Sequence, residues 1–228
     1  MKFSYVFAGF GVLVLILLVS GCTSTSQVQA PTYTYTPTVS LPPVTPTPTQ
    51  VPFPNALAVN QNDQFGSGAN QGQVTVYGYK VLSNYNWSSP QYNSNPYQQI
   101  ANGPNLENGY TTVTPAAGNT FLIVFVKFIN TGTNAISAPS AGQFYVYSNG
   151  ISYKTSVINV PQVTLSQVPG TPYADLVGAG GTGAAGDVQP GQSNGLDGYL
   201  IFEVPDSFTP STTYVTLNYE NQPSWVLG

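Results

Sequence analysis

Cys22 carries the plainest chemistry in this chain of 228 residues, and it is the sole cysteine. The thiolate is the nucleophilic form of cysteine. Small residues, Ser20 and Gly21, stand directly before Cys22, and an apolar run from Phe3 to Val19 stands before those. Met1 and Lys2 place positive charge at the start. A charged start, an apolar run and small residues before a cleavage point make a secretory signal. A thiol at that cleavage point makes it a lipobox. Residues 1–21 are therefore expected to be a lipoprotein signal peptide, and Cys22 is the expected lipidation site. Each buried methylene of an acyl chain adds about 0.8 kcal/mol, so a two-chain lipid holds firmly. The alternative is an uncleaved signal anchor, because about 17 apolar residues reach the lower limit for a spanning helix. Either way the chain is expected to meet the membrane through its N-terminus. The remainder would face outward, on the outer face of the cytoplasmic membrane or the cell surface.

A second group of residues could bind rather than react. Tyr85, Trp87, Tyr92 and Tyr97 fall in a polar segment, 83–110, interleaved with Asn84, Asn86, Gln91, Asn93, Gln98 and Gln99. Aromatic rings stack on sugar rings and amides bond hydroxyls, so these four aromatics are candidate glycan contacts. Long loops in compact domains are uncommon and often functional. The alternative is that the segment covers a sheet edge, its tyrosines lying down as packing. Asn86-Trp87-Ser88 is also an N-glycosylation acceptor pattern.

Other chemistries lack parts. The chain has no His and no Arg, and only 12 charged residues, 4 Lys and 8 Asp or Glu. A Ser-His-Asp triad and a His-ligated metal cannot be built. Four lysines cannot track a phosphate backbone, so no nucleic-acid partner is expected. Asp175, Asp187 and Asp197 bracket the Gly-rich run 178–186, but their spacing is not that of a calcium loop. No metal site and no cofactor are expected. Asp197 and Glu203 are the one carboxylate pair that could be proposed for glycoside hydrolysis. No Ser-x-x-Lys arrangement occurs, and the chain is read as having no catalytic residues. A surface of Ser, Thr, Asn, Gln and Tyr also has little to titrate, so stability is expected to depend weakly on pH.

The elements that must position these residues divide in sequence order. Residues 22–54 form a Pro/Thr-rich linker with eight prolines, an extended stalk reaching roughly 100 Å at most. Residues 55–72 are polar and read as a leader. Residues 73–228 read as an all-β domain, an antiparallel β-sandwich of about 7–9 strands. Its strands are expected at 73–83, at 121–129 (apolar on both faces, hence central), at 144–147 and 151–153 around the turn Ser148-Asn149-Gly150, within 157–168, at 200–204 and at 214–219. The apolar share of 41% suffices for a core despite 5% charge.

Four motifs in this order are similar to the Ig-like domain of prokaryotic lipoproteins known as domain of unknown function 4352. They are Gly118-Asn119-Thr120-Phe121, the strand ending Asn130-Thr131-Gly132, Pro190-Gly191-Gln192-Ser193, and Phe202-Glu203-Val204-Pro205. The resemblance spans about 115–205. It implies an Ig-like sandwich on an exported, lipid-anchored chain and implies no activity. The expected role is envelope structure or surface interaction, with a surface polysaccharide or envelope protein as partner. The alternative is a glycan or small-ligand binding module.

Overall fold

The computed structural model describes residues 51–90, 92, 106–107, 109–177 and 187–228. Its strands are β1 (Leu57–Ala58), β2 (Asn62–Ser67), β3 (Asn70–Leu82), β4 (Tyr85–Ser88), β5 (Leu106–Glu107), β6 (Tyr110–Val113), β7 (Asn119–Asn130), β8 (Ile136–Ser137), β9 (Phe144–Ser148), β10 (Ile151–Ser156), β11 (Thr164–Leu165), β12 (Thr171–Pro172), β13 (Asp187–Val188), β14 (Leu196–Pro205), β15 (Tyr214–Leu217) and β16 (Ser224–Val226). A one-turn helix, α1, spans Tyr173–Leu176. The fold is all-β. Thr49–Gly228 forms a compact unit by itself. Among the described residues, no helix is long and apolar enough to cross a membrane.

β7 organises the whole. It pairs antiparallel with β3 on one side and β14 on the other, which satisfies its backbone groups without water. The order across the main sheet is β1-β16-β15-β9-β10-β14-β7-β3-β2, with β12 also beside β14. The ladder turns a corner at β10: Ile151 to Lys154 pair with β9, whereas Thr155 and Ser156 pair with β14. One strand thus belongs to both layers of the sandwich, a device known from sheets that fold over themselves.

The inner core lies between the layers. Val74, Val76, Leu122, Val124, Val126, Phe128, Leu200, Phe202 and Val204 come from one layer, and Phe144, Val146, Val215, Leu217 and Trp225 from the other. Each set sits at alternate positions, as a pleated strand requires. The Asn149-Gly150 turn joins β9 to β10 with φ of 51° and 82°, the positive pair that a tight two-residue hairpin needs.

Three expectations change. Residues 55–72 are part of the sandwich: β1 pairs parallel with β16, and β2 pairs along β3. Their polarity misled because an edge strand buries little; in β2 only Phe65 is fully buried. Within 157–168 the chain forms one strand, β11, within the one or two expected there. Beyond Leu217 the chain adds β16, whose Trp225 is wholly buried and donates its indole N–H to the Gln61 carbonyl at 2.8 Å. Among the described residues sixteen segments pair, more than the seven to nine expected, and six of them, β1, β5, β8, β11, β12 and β13, pair over only two residues each.

The four sequence motifs meet in pairs. Asn130, 1% exposed, donates its amide to the carbonyls of Asn134 and Val188, both at 2.7 Å, and accepts from Gly132 N–H at 2.9 Å. Its own carbonyl accepts from Gly191 N–H at 3.1 Å. At the far end of β7, the Glu203 carboxylate accepts from Ala116 N–H and the Asn119 amide, both at 2.8 Å. These residues join strand ends to turns.

Candidate functional site

Odd-numbered residues of β7 turn away from the inner core and form an outer face with their neighbours. Phe121 stands opposite Glu203, Ile123 opposite Ile201, Phe125 opposite Tyr199 and Lys127 opposite Asp197. This face has two differently treated ends.

One end is roofed by a small sheet in the order β11-β4-β6-β5. Tyr85, Trp87, Val163, Leu165 and Val168 pack with Phe121, Ile123, Tyr199 and Ile201 into a second core. Tyr85 meets Phe121 edge to face at 4.7 Å, and Trp87 stacks on Tyr92 at 5.1 Å. Polar straps hold the roof down. Lys80 Nζ donates to the Gln167 carbonyl at 2.7 Å, and the Gln167 side chain accepts from Asn86 N–H at 3.0 Å.

This placement corrects the glycan assignment for two residues. Tyr85 is 4% exposed and Trp87 7%, so their rings are spent on packing and offer no face to a sugar. The described strand of that segment, β4, covers a sheet face, not the edge considered from sequence. Tyr92 is exposed and stacked on Trp87. Asn86 lies inside β4, paired to β6, and its side-chain oxygen accepts from the Thr112 hydroxyl at 2.7 Å. Tyr97, Cys22 and the Gly-rich run 178–186 lie outside the described residues.

The other end is open. Here β3 carries a bulge: the register against β7 shifts between Val76 and Gly78, leaving Tyr77 as the extra residue. The alternation changes phase at that point. Val76 faces the inner core, Tyr77 faces out, and Tyr79 returns to the inner core. Bulges re-aim side chains in this way. The Tyr77 ring stacks on Phe125 at 5.7 Å, and its hydroxyl donates to Asp197 Oδ1 at 2.6 Å. Asp197 Oδ2 lies 3.9 Å from Lys127 Nζ. Partial burial, reinforced by the Asp197 carboxylate, holds the Tyr77 phenol well above its ordinary pKa. Beside this trio run Gln73 and Thr75 of β3 and Asn62 and Gln64 of β2, all outward. Sequence reading missed Tyr77. The signal was present: after Val76 the apolar residues move from even to odd positions.

The carboxylate pair proposed from sequence does not gather. Asp197 and Glu203 are six residues apart on one strand, roughly 20 Å at the usual rise. Glycosidase pairs need about 5–9.5 Å, so these two cannot act on one bond. Asp187 accepts from the Ser137 hydroxyl at 2.8 Å, and Asp175 accepts from Val163 N–H at 3.1 Å. Among the described residues no three acidic or thiol groups cluster for a metal. A cleft beside Asp175, lined also by Val157, Ile158, Ala174 and Tyr199, leaves about 20 Å³, room for about one water. Burial raises the Asp175 pKa, against the lowering effect of the Val163 bond.

No family model matches the chain, and no curated protein matches it. Three solved structures resemble it distantly. A conserved hypothetical protein from Bacillus anthracis is 14% identical with a TM-score of 0.40, over 73% of this chain and 93% of that one. The yjhA protein from Bacillus subtilis is 15% identical with a TM-score of 0.38, over 71% and 81%. A lipoprotein candidate, ycdA, from Bacillus subtilis is 13% identical with a TM-score of 0.31, over 69% of this chain and 33% of its own.

Proposed function

We propose that this chain is a non-enzymatic, lipid-anchored cell-surface protein. Its Pro/Thr stalk displays an Ig-like sandwich that serves envelope structure or surface interaction. The observation that carries this reading is the position of Cys22, the sole cysteine, directly after an apolar run and small residues. The separation of Asp197 from Glu203 along β14 and the water-sized cleft support a role in contact over one in turnover.

Mass spectrometry of the mature N-terminal peptide tests it. The expected product begins at Cys22 and carries a diacylglyceryl group. A product retaining residues 1–21 with an unmodified thiol would support the signal anchor instead. A glycan-binding module is the second reading, and the open end of the outer face is what favours it.

A further inference from the structure

The bulge in β3 gives up a ladder position to aim one ring outward. That ring, Tyr77, is 36% exposed, with Phe125 beneath one face. Its hydroxyl is held by Asp197, so the ring cannot swing freely. Lys127 and Asp197 flank it with side chains 42% and 51% exposed. In a chain with only 12 charged residues, this is the one ion pair among the described residues.

We propose that Tyr77, Asp197 and Lys127, bordered by Gln73 and Thr75, form a binding platform for a neutral polysaccharide. The chemistry matches at each position. A pyranose presents an apolar C–H face, which stacks on an aromatic ring fixed in advance. Its rim presents hydroxyls, which donate to the carboxylate of Asp197 and accept from the ammonium of Lys127. Pre-fixing the ring lowers the ordering cost of binding. Charge excludes the other occupants. One lysine already matched by one carboxylate leaves no net field for a polyanion or an anionic lipid surface. Of the apolar side chains exposed elsewhere, Val51, Ile151 and Val157 lie on other segments, and Val81, on β3 itself, pairs with Leu122 on the opposite side of the sheet, so no broad greasy face invites a protein. The platform moves glycan contact from Tyr85 and Trp87 to the opposite end of the same sheet face.

The proposal rests on the surface reading only for which polymers the domain meets. Peptide mass spectrometry at Cys22 and the measurement below can each fail alone. The full-length chain, solubilised in detergent, is run through native gels containing dextran, mannan, a soluble β-glucan or alginate. Retardation by at least one neutral polymer and none by alginate is expected. Tyr77→Ala should weaken retention at least about tenfold, and Asp197→Asn by about tenfold. Asp197 is surface-exposed, so D197N keeps the fold and decides the matter even if Y77A does not fold. No retardation by any neutral polymer overturns the proposal. So does equal retardation by alginate, wild-type retention in D197N, or retention lost in Tyr92→Ala but kept in Y77A.

Discussion

Phe121 and Lys127 lie on the same face of the same strand, yet one end of that face is roofed and the other is open. At the roofed end, Phe121, Ile123, Tyr199 and Ile201 are buried beneath Tyr85, Trp87, Val163, Leu165 and Val168. At the open end, Phe125 is covered only in part by Tyr77, and Lys127 and Asp197 stand in solvent. Apolar area decides the difference. Two aromatic rings and two isoleucine side chains on the sheet face repay an extra layer at about 25 cal/mol per Å². A lysine and an aspartate would cost energy under the same roof. The sheet therefore carries a second core where its outer residues are apolar and a polar platform where they are not.

Removing the roof's anchor should have the largest effect. Trp87→Ala, at a site 7% exposed, is expected to cost about 3–5 kcal/mol, read from urea melts. Ile123→Ala, 0% exposed beneath the roof, should cost about 2–5 kcal/mol. A loss below about 1 kcal/mol for both would show that the roof adds no stability, and the contrast between the ends would collapse.

Titration should sharpen the contrast next. Burial is the leading cause that raises the phenol pKa of Tyr77, Tyr85, Tyr173, Tyr199 and Tyr219 above 10.0. A phenol whose folded pKa is raised contributes stability that is fully present below its unfolded pKa and is lost as pH rises toward the folded value. The melting temperature is thus expected to fall above about pH 10, as both ends of the face lose support together. On the acid side the same sign holds for two carboxylates. Burial raises Asp63 and Asp175 above 3.8, with Glu220 adding to the rise at Asp63 and the Asn221 hydrogen bond opposing it. Their contribution grows as pH falls through their folded pKa values, so these two groups favour stability toward about pH 4. A collapse of the melting temperature between about pH 7 and pH 4 would contradict this account.

The smallest effect should come from the open end. Lys127→Ala breaks an exposed pair at 3.9 Å and is expected to change stability by less than about 1 kcal/mol. A larger loss would mean that the platform is a structural brace, and the two ends would then differ less than their exposure suggests.

Much of the architecture was legible because strand signals are local. The unbroken apolar run 121–129 announces a strand buried on both faces, and β7 has a core on each side. Asn149-Gly150 announces the hairpin that joins β9 to β10. Where pairing is brief or at an edge, the local signal fails: β1 and β2 read as a polar leader, and β16 was overlooked because three residues after Pro223 look like a tail. The aromatic segment at 85–92 is the instructive case. Its composition is the same whether the rings meet a sugar or Phe121, and sequence cannot say which.

The amino-acid order by itself determined the all-β class, the central strand and the scarcity of ionisable groups, because alternation, turn residues and composition act over a few neighbours. Only the tertiary structure decided which aromatics are spent on packing and which is shown to solvent. That choice depends on which residues, distant in sequence, the ladder sets side by side: Tyr85 over Phe121, and Tyr77 against Asp197.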